Sequence, residues 1–218
     1  MNRSAQDFAA QEVAGRVLDR HGRTFAEEAG IVLTDEPAPL FQLLVLAQLL
    51  SARIATGIAI AAAHEVSAAG WTTAQRLRDA SRPRVVTALG RAGYRRYDER
   101  TATQLREMGA LVLDRYGGDL RGLAREADGD VERAARLIQE VKGIGPTGAA
   151  VFLREVQSVW PWVRPYLDDR ARAGAARLGL PDDVHPLAEL VPPSDLARFA
   201  AGLVRVSRLP AGQHPVDD

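Results

Sequence analysis

The chain has 218 residues, 46% of them hydrophobic, which is enough to bury a sizeable core in one domain or two small lobes. Its 28 Lys+Arg balance 28 Asp+Glu, so no net charge draws it toward polyanions, and a nucleic-acid role must rest on local basic patches. Cysteine is absent, which excludes disulfides, thiol nucleophiles and thiolate-held metals, and the four histidines (His21, His64, His185, His214) lack metal-ligand spacing.

Alanine and arginine abound, aromatics are few, and no β-branched run alternates over any distance, so propensity and pattern predict an all-α protein. The opening Met1-Asn2-Arg3-Ser4-Ala5-Gln6-Asp7 carries charge where a secretory signal needs an apolar core, and no apolar stretch reaches membrane-spanning length. A soluble, intracellular protein with no membrane partner is expected.

The first helix is predicted over about Ala5 to Arg20, with Phe8, Val13, Val17 and Leu18 near one face and a glycine stop at Gly22. Thr34 to Pro39 reads as a loop. The apolar run that follows, Leu40 to Val66, is broken by the polar step Ser51-Ala52-Arg53, which predicts a core helix, a turn and an alanine-rich second helix. From Thr72 to Arg125, helices are separated by Pro83, Gly90, Gly93 and Gly117-Gly118, and their arginines are spaced as solvated faces. Asp128 or Asp130 can cap the next helix, where Val131, Ala134, Ala135, Ile138 and Val141 keep the helical period. After Leu209 the tail has little to bury.

Val141-Lys142-Gly143-Ile144-Gly145-Pro146-Thr147-Gly148-Ala149-Ala150-Val151 joins two amphipathic helices through a tight turn with glycines two apart. Gly143 and Gly145 free the backbone, Ile144 can plug the space between the helices, and Pro146 suits a helix's first turn. Free N–H groups at such a helix start suit a phosphate oxygen, a contact that ignores base sequence. The same residues also serve a plain αα-hairpin whose glycines only make the turn. Further on, Asp168 in Pro165-Tyr166-Leu167-Asp168-Asp169-Arg170 sits at a loop-to-helix junction, where an aspartate is by default an N-cap.

Gly143-Ile144-Gly145-Pro146-Thr147-Gly148-Ala149-Ala150 resembles the helix-hairpin-helix motif of DNA-repair proteins. Together with the downstream Pro-x-Leu-Asp and its Arg177-Leu178-Gly179-Leu180 helix, it is similar to the catalytic half of the endonuclease III superfamily of DNA glycosylases, the HhH-GPD proteins. Leu49-Leu50-Ser51-Ala52-Arg53 resembles that family's Leu-Leu-Ser-Ala-Gln step, and the Ala92 to Arg100 stretch resembles its Gly-Tyr region. The likeness covers roughly Leu40 to Leu180 in the correct order.

The resemblance implies a single two-lobed helical domain over 1–218, with one lobe at about 36–135, the hairpin at about 131–158, a second lobe from 1–35 and 159–209, and a tail at 210–218. It implies base-excision repair: hydrolysis of the N-glycosidic bond of a damaged or mismatched base in double-stranded DNA by a cytoplasmic, nucleoid-associated monomer. Asp168 takes the place of the essential carboxylate, which stabilises positive charge on the sugar and orients water. Its neighbour Asp169 stands where the family has a small residue or threonine, and either caps the helix or alters its neighbour if the two carboxylates converge.

Thr147 stands where bifunctional members carry the Schiff-base lysine, so a monofunctional enzyme is implied, with Thr147 and Asp169 as possible helpers. The only lysine, Lys142, lies across the turn, suited to phosphate or solvent and, as the lesser alternative, to weak lyase chemistry. DNA contacts are expected from Lys142, Gly143, Ile144, Gly145, Thr147, Gly148, Arg53 and Arg170. Arg53 is either a wedge that fills the space of an extruded base or a surface salt-bridge partner, and Tyr94 and Tyr97 either stack on a base or pack between helices. No iron–sulfur cluster is possible without cysteine, so the terminal helices must pack by apolar contacts alone, through Leu187, Leu190, Leu196, Phe199 and Leu203. No other cofactor is implied beyond a monovalent cation at the hairpin backbone. The alternatives are a helix-hairpin-helix protein that grips DNA without cutting it and an unrelated helical adaptor.

Overall fold

Short polar residues and prolines set the helix starts. Thr73, Asp130 and Asp168 each accept a backbone N–H three residues ahead, and prolines occupy the first turns at Pro37 and Pro83. Glycine in the left-handed region at Gly117 ends the longest central helix. In this computed structural model residues 3–210 are described, and among them the regular structure is entirely helical. The helices are α1 (Arg3–His21), α2 (Phe25–Glu28), α3 (Pro37–Ser51), α4 (Thr56–Ala68), α5 (Ala74–Asp79), α6 (Arg82–Arg91), α7 (Asp98–Tyr116), α8 (Arg121–Ala127) and α9 (Val131–Gln139). After them come α10 (Pro146–Val156), α11 (Asp169–Arg177), α12 (Val184–Ala188) and α13 (Leu196–Ser207), with short 3-10 turns at Pro161–Val163 and Pro193–Asp195.

The chain divides into two compact units: Ala26–Leu153, and Met1–Phe25 together with Arg154–Asp218. Residues 26–35, which the sequence assigns to the terminal lobe, fall in the central unit, where Gly30 backs onto His64 of α4 and Ile31 is buried. The hairpin belongs to the same unit as far as Leu153, and its last residues, 154–158, fall in the other.

In the central unit α3 is buried on almost every side from Leu40 to Leu49, as befits a helix apolar all round. The break after Ser51 is a bend at residues 52–55, after which α4 lies against α3. Helix α7 packs against α5 and α6, and α8 against α9. Asp130 rather than Asp128 caps α9; Asp128 instead takes the left-handed conformation that ends α8.

In the unit built from both chain ends, α13 packs on α1 and α11. The crossing of α11 and α13 is so close that a Cβ on Gly174 would fall on the Leu203 carbonyl oxygen. Leu187, Leu196, Phe199 and Leu203 are buried as expected and Leu190 is half-buried, but apolar contact does not act alone. Arg177 donates to the carbonyls of Val206 (3.0 Å), Leu209 (2.6 Å) and Pro210 (3.2 Å), closing the C-terminus of α13. Arg205 and Arg198 donate to His21 O (2.9 Å) and Gly22 O (3.1 Å), closing that of α1. The guanidiniums thus donate to carbonyls at and just beyond the helix ends and complement the negative end of each dipole.

Phe8 departs from the sequence reading: it is 72% exposed, whereas Val17 is fully buried. Nine residues at about 100° each place the two on opposite faces of α1. Of the tail, only Pro210 lies within the described residues. Among the described residues no helix is long and apolar enough to cross a membrane.

Candidate nucleic-acid interface and carboxylate site

The hairpin is made by close approach. Ile144 is buried, with its N–H on Val141 O at 2.9 Å. Gly143 has φ +96°, and a Cβ there would stand 2.9 Å from the side-chain amide of Gln104 on α7. Gly148 is equally constrained: a Cβ would meet Ile144 Cγ2 at 2.8 Å and Ser51 Cβ at 3.2 Å. The turn therefore seats on the end of α3 and the flank of α7, and each glycine removes a side chain where two elements touch. Helical bonding begins with Ala149 N–H on Gly145 O (3.0 Å), which leaves the amides of Thr147 and Gly148 ahead of it as available donors. Gly145 and Thr147 are half-buried, whereas Lys142 is exposed with its Nζ 3.1 Å from the Glu107 carboxylate.

Beside the hairpin, and within the same unit, lies an open cavity of about 370 Å³. Arg53, Tyr94, Tyr97 and Gly143 all line it, together with Gln48, Ser51, Arg100, Thr101 and Gln104. Four residues singled out from three separate stretches of sequence thus share one cavity. Arg53 and Arg100 are exposed and form no ion pair with a described residue, so the salt-bridge alternative for Arg53 is not realised. Tyr94 is buried, its hydroxyl accepting from Thr101 Oγ1 at 3.4 Å, and burial pushes its phenol above the ordinary range. Tyr97 is half-buried beneath the Arg96 guanidinium, 5.3 Å from its ring centroid.

Gln48 and Gln104 were not singled out in the sequence. Both are more than nine-tenths buried, and Gln48 Nε2 donates to Gln104 Oε1 at 3.4 Å. Gln48 Oε1 is buried with no hydrogen-bond partner. A glutamine inside the otherwise apolar run Leu43 to Leu50 was the available signal, because a polar group on a helix buried all round needs a partner.

In the other unit, Asp168 is the N-cap of α11: Oδ1 accepts the Ala171 N–H at 3.0 Å and Oδ2 accepts Arg154 Nη1 at 2.6 Å. The pair is enclosed, with the two side chains 2% and 10% exposed. Arg154 also lies 5.5 Å from the centre of the Phe25 ring, where Arg205 approaches to 4.4 Å. Gln157 holds the intervening loop, donating to Tyr166 O and accepting the Tyr166 N–H, at 2.9 and 3.0 Å. Burial, with the Asp168 charge adding to it, pushes the Tyr166 phenol up to about 12.

Asp169 does not converge on Asp168: its side chain is 94% exposed and accepts from Arg172 at 2.8 Å. Arg170 is exposed, and its charge together with that of Arg154 adds to partial burial in lowering the Arg208 guanidinium from its usual range. Trp160 is buried and stacks on Trp162 at 5.5 Å. Arg154 is the residue the sequence reading missed. Its signal was the charged pair Arg154-Glu155 inside the otherwise apolar stretch Val151 to Val156, with the partner of Arg154 fourteen residues away.

Among the described residues no group of three or more His, Asp or Glu is placed to hold a metal ion. Compared with models of known protein families and with curated proteins, the chain matches none.

Proposed function

We propose that this protein is a monofunctional DNA glycosylase that grips duplex DNA through the 143–148 hairpin and receives an extruded base in the adjacent cavity. The observation that carries the reading is the cavity itself, in which the hairpin's Gly143, the unpaired Arg53 and the rings of Tyr94 and Tyr97 meet. Duplex binding needs phosphate donors and a cationic side chain free of intramolecular partners, and the amides of Thr147 and Gly148 together with Arg53 supply both. Base extrusion needs a hole of sufficient size with aromatic walls, and about 370 Å³ between two tyrosines supplies it.

The chemistry falls to Asp168 by its resemblance to the family carboxylate. In hydrolysis the C1′–N bond breaks with its electron pair leaving on the base. Water adds its oxygen to C1′ and gives up a proton, and the base gains one. A carboxylate has about four acceptor positions and Asp168 uses two, so it retains two with which to orient water. Thr147 cannot form a Schiff base, and the exposed Lys142 ammonium is held by Glu107.

One observation favours the second reading, a protein that binds DNA without cutting it: the ion pair with Arg154 offsets the negative charge that the chemistry requires. A panel of duplexes, each bearing one lesion and assayed with and without alkali, separates the two. Alkali-dependent breaks at one lesion, abolished in Asp168→Asn with duplex affinity retained, are the expected result. Salt-sensitive binding with no base release from any duplex supports the binding protein, and Arg53→Ala should lower the slope of log affinity against log salt by about 1 in either case.

A further inference from the structure

We infer that the cavity of the central unit selects a neutral, carbonyl-bearing base with a lactam edge, the kind produced by deamination, over amino bases and cationic alkylated purines. The inference rests on the base-excision reading and specifies its substrate class.

Hydrogen-bond polarity inside the cavity carries the argument. With Gln48 Nε2 committed to Gln104 Oε1, the pair presents one free acceptor, the buried Gln48 Oε1, and one free donor group, the Gln104 Nε2, which bonds to no described residue. Tyr94 adds a hydroxyl whose oxygen is already taken by Thr101, so what it offers is its proton, and burial keeps that proton in place at neutral pH. Arg53 and Arg100 can only donate. The lining is therefore rich in donors, and its acceptors are the orphaned Gln48 Oε1 and the hydroxyl oxygens of Ser51 and Thr101, whose own protons go to Gln48 O and Tyr94.

A lactam complements that arrangement. Its ring N–H donates to Gln48 Oε1, its adjacent carbonyl accepts from Gln104 Nε2, and a second carbonyl or ring nitrogen meets the remaining donors. Uracil and hypoxanthine have this pattern. Adenine and cytosine also place a donor beside an acceptor, but the donor is an exocyclic amine, whose second hydrogen faces a wall where donors outnumber the acceptors left to it, the Ser51 and Thr101 hydroxyl oxygens. A cationic alkylated purine fares worst, because no carboxylate lines the cavity and two guanidiniums do. Gly143 enforces the geometry, since any side chain there would displace the Gln104 amide.

The test is binding of free nucleobases to the full-length protein, read by saturation-transfer NMR, alongside base release from duplexes bearing uracil, hypoxanthine, mismatched adenine or 7-methylguanine. Uracil and hypoxanthine should bind at least tenfold more tightly than adenine or the permanently cationic 7,9-dimethylguaninium, and Gln48→Met should abolish the preference. Equal or stronger binding of the amino or cationic bases, or no saturable binding of any base at millimolar concentration, overturns the inference. The preference is measured on the unaltered protein, so a poorly folded Gln48→Met leaves the test intact. Selective binding with no base release from any duplex would sink the glycosylase reading and spare the cavity assignment. Release confined to 7-methylguanine would do the reverse.

Discussion

Replacing Asp168 with alanine removes two things at once. The cap on the Ala171 N–H is worth about 1 kcal/mol. The larger loss is compensation for Arg154, whose side chain is 2% exposed; stranding one partner of a buried ion pair costs about 3–5 kcal/mol. Together these take about 4–6 kcal/mol from a native stability of about 5–15 kcal/mol. At about 2–4 °C per kcal/mol for a chain of this length, the melting temperature should fall by roughly 10–20 °C. Trp160 and Trp162 lie in the same unit, so their fluorescence during thermal and urea unfolding reports on it. Asp168→Asn keeps an acceptor for the cap and should lose less, about 3 kcal/mol. Combining it with Arg154→Met leaves no charge buried and should recover about 2–4 kcal/mol relative to the sum of the single changes. A variant Asp168→Ala that stays within about 1 kcal/mol of the parent would refute the energetic weight given to the pair. The outcome also governs how activity is interpreted: Arg154→Met keeps the carboxylate and removes its partner, so a fall in rate shared by both variants in proportion to unfolding is structural.

Gly174→Ala drives a Cβ into the Leu203 carbonyl and should destabilise the same unit by about 1–3 kcal/mol, seen as a lower urea midpoint by tryptophan fluorescence. Gly143→Ala forces an L side chain to φ +96° against the Gln104 amide and should cost about 1–3 kcal/mol in stability, with weakened duplex binding measured by anisotropy. Three tyrosines ionise late: Tyr166 and Tyr116 near 12 and Tyr94 also above its usual range, each chiefly through burial. The folded state then holds these protons more tightly than the unfolded one, so their contribution is intact below pH 10 and is lost as pH rises toward 12. Absorbance at 295 nm should show delayed ionisation that coincides with alkaline unfolding, and tyrosines titrating together near pH 10 in the folded protein would contradict this.

Elements governed by local rules were legible in the sequence. The break in the Leu40 to Val66 run falls after Ser51, Asp130 caps α9, and the paired glycines form a tight turn, because each depends on residues within a few positions. Phe8 was misplaced by counting apolar residues without following their angle around the helix. Pairings over longer distances were not legible. Gln48 meets Gln104 across 56 residues and Arg154 meets Asp168 across 14, and periodicity carries no information about which polar residues share a core. The cavity illustrates both. Arg53, Tyr94, Tyr97 and Gly143 were individually conspicuous, yet the two glutamines that give its wall a polarity lie on the buried faces of α3 and α7, where sequence predicts only packing.

The unit assembled from both chain ends has a consequence for biosynthesis. The C-terminal carbonyls of α1 are closed by arginines of α13, one of them 184 positions further on. At about 5–20 residues per second, the ribosome leaves α1 waiting on the order of 10–40 s for the helix that covers Ala14 and Val17. Residues 26–153, a continuous segment, emerge complete during that interval. The nascent chain therefore spends its early life with one half able to consolidate and the other represented by a solitary, largely polar helix whose buried positions, Ala14 and Val17, are still uncovered.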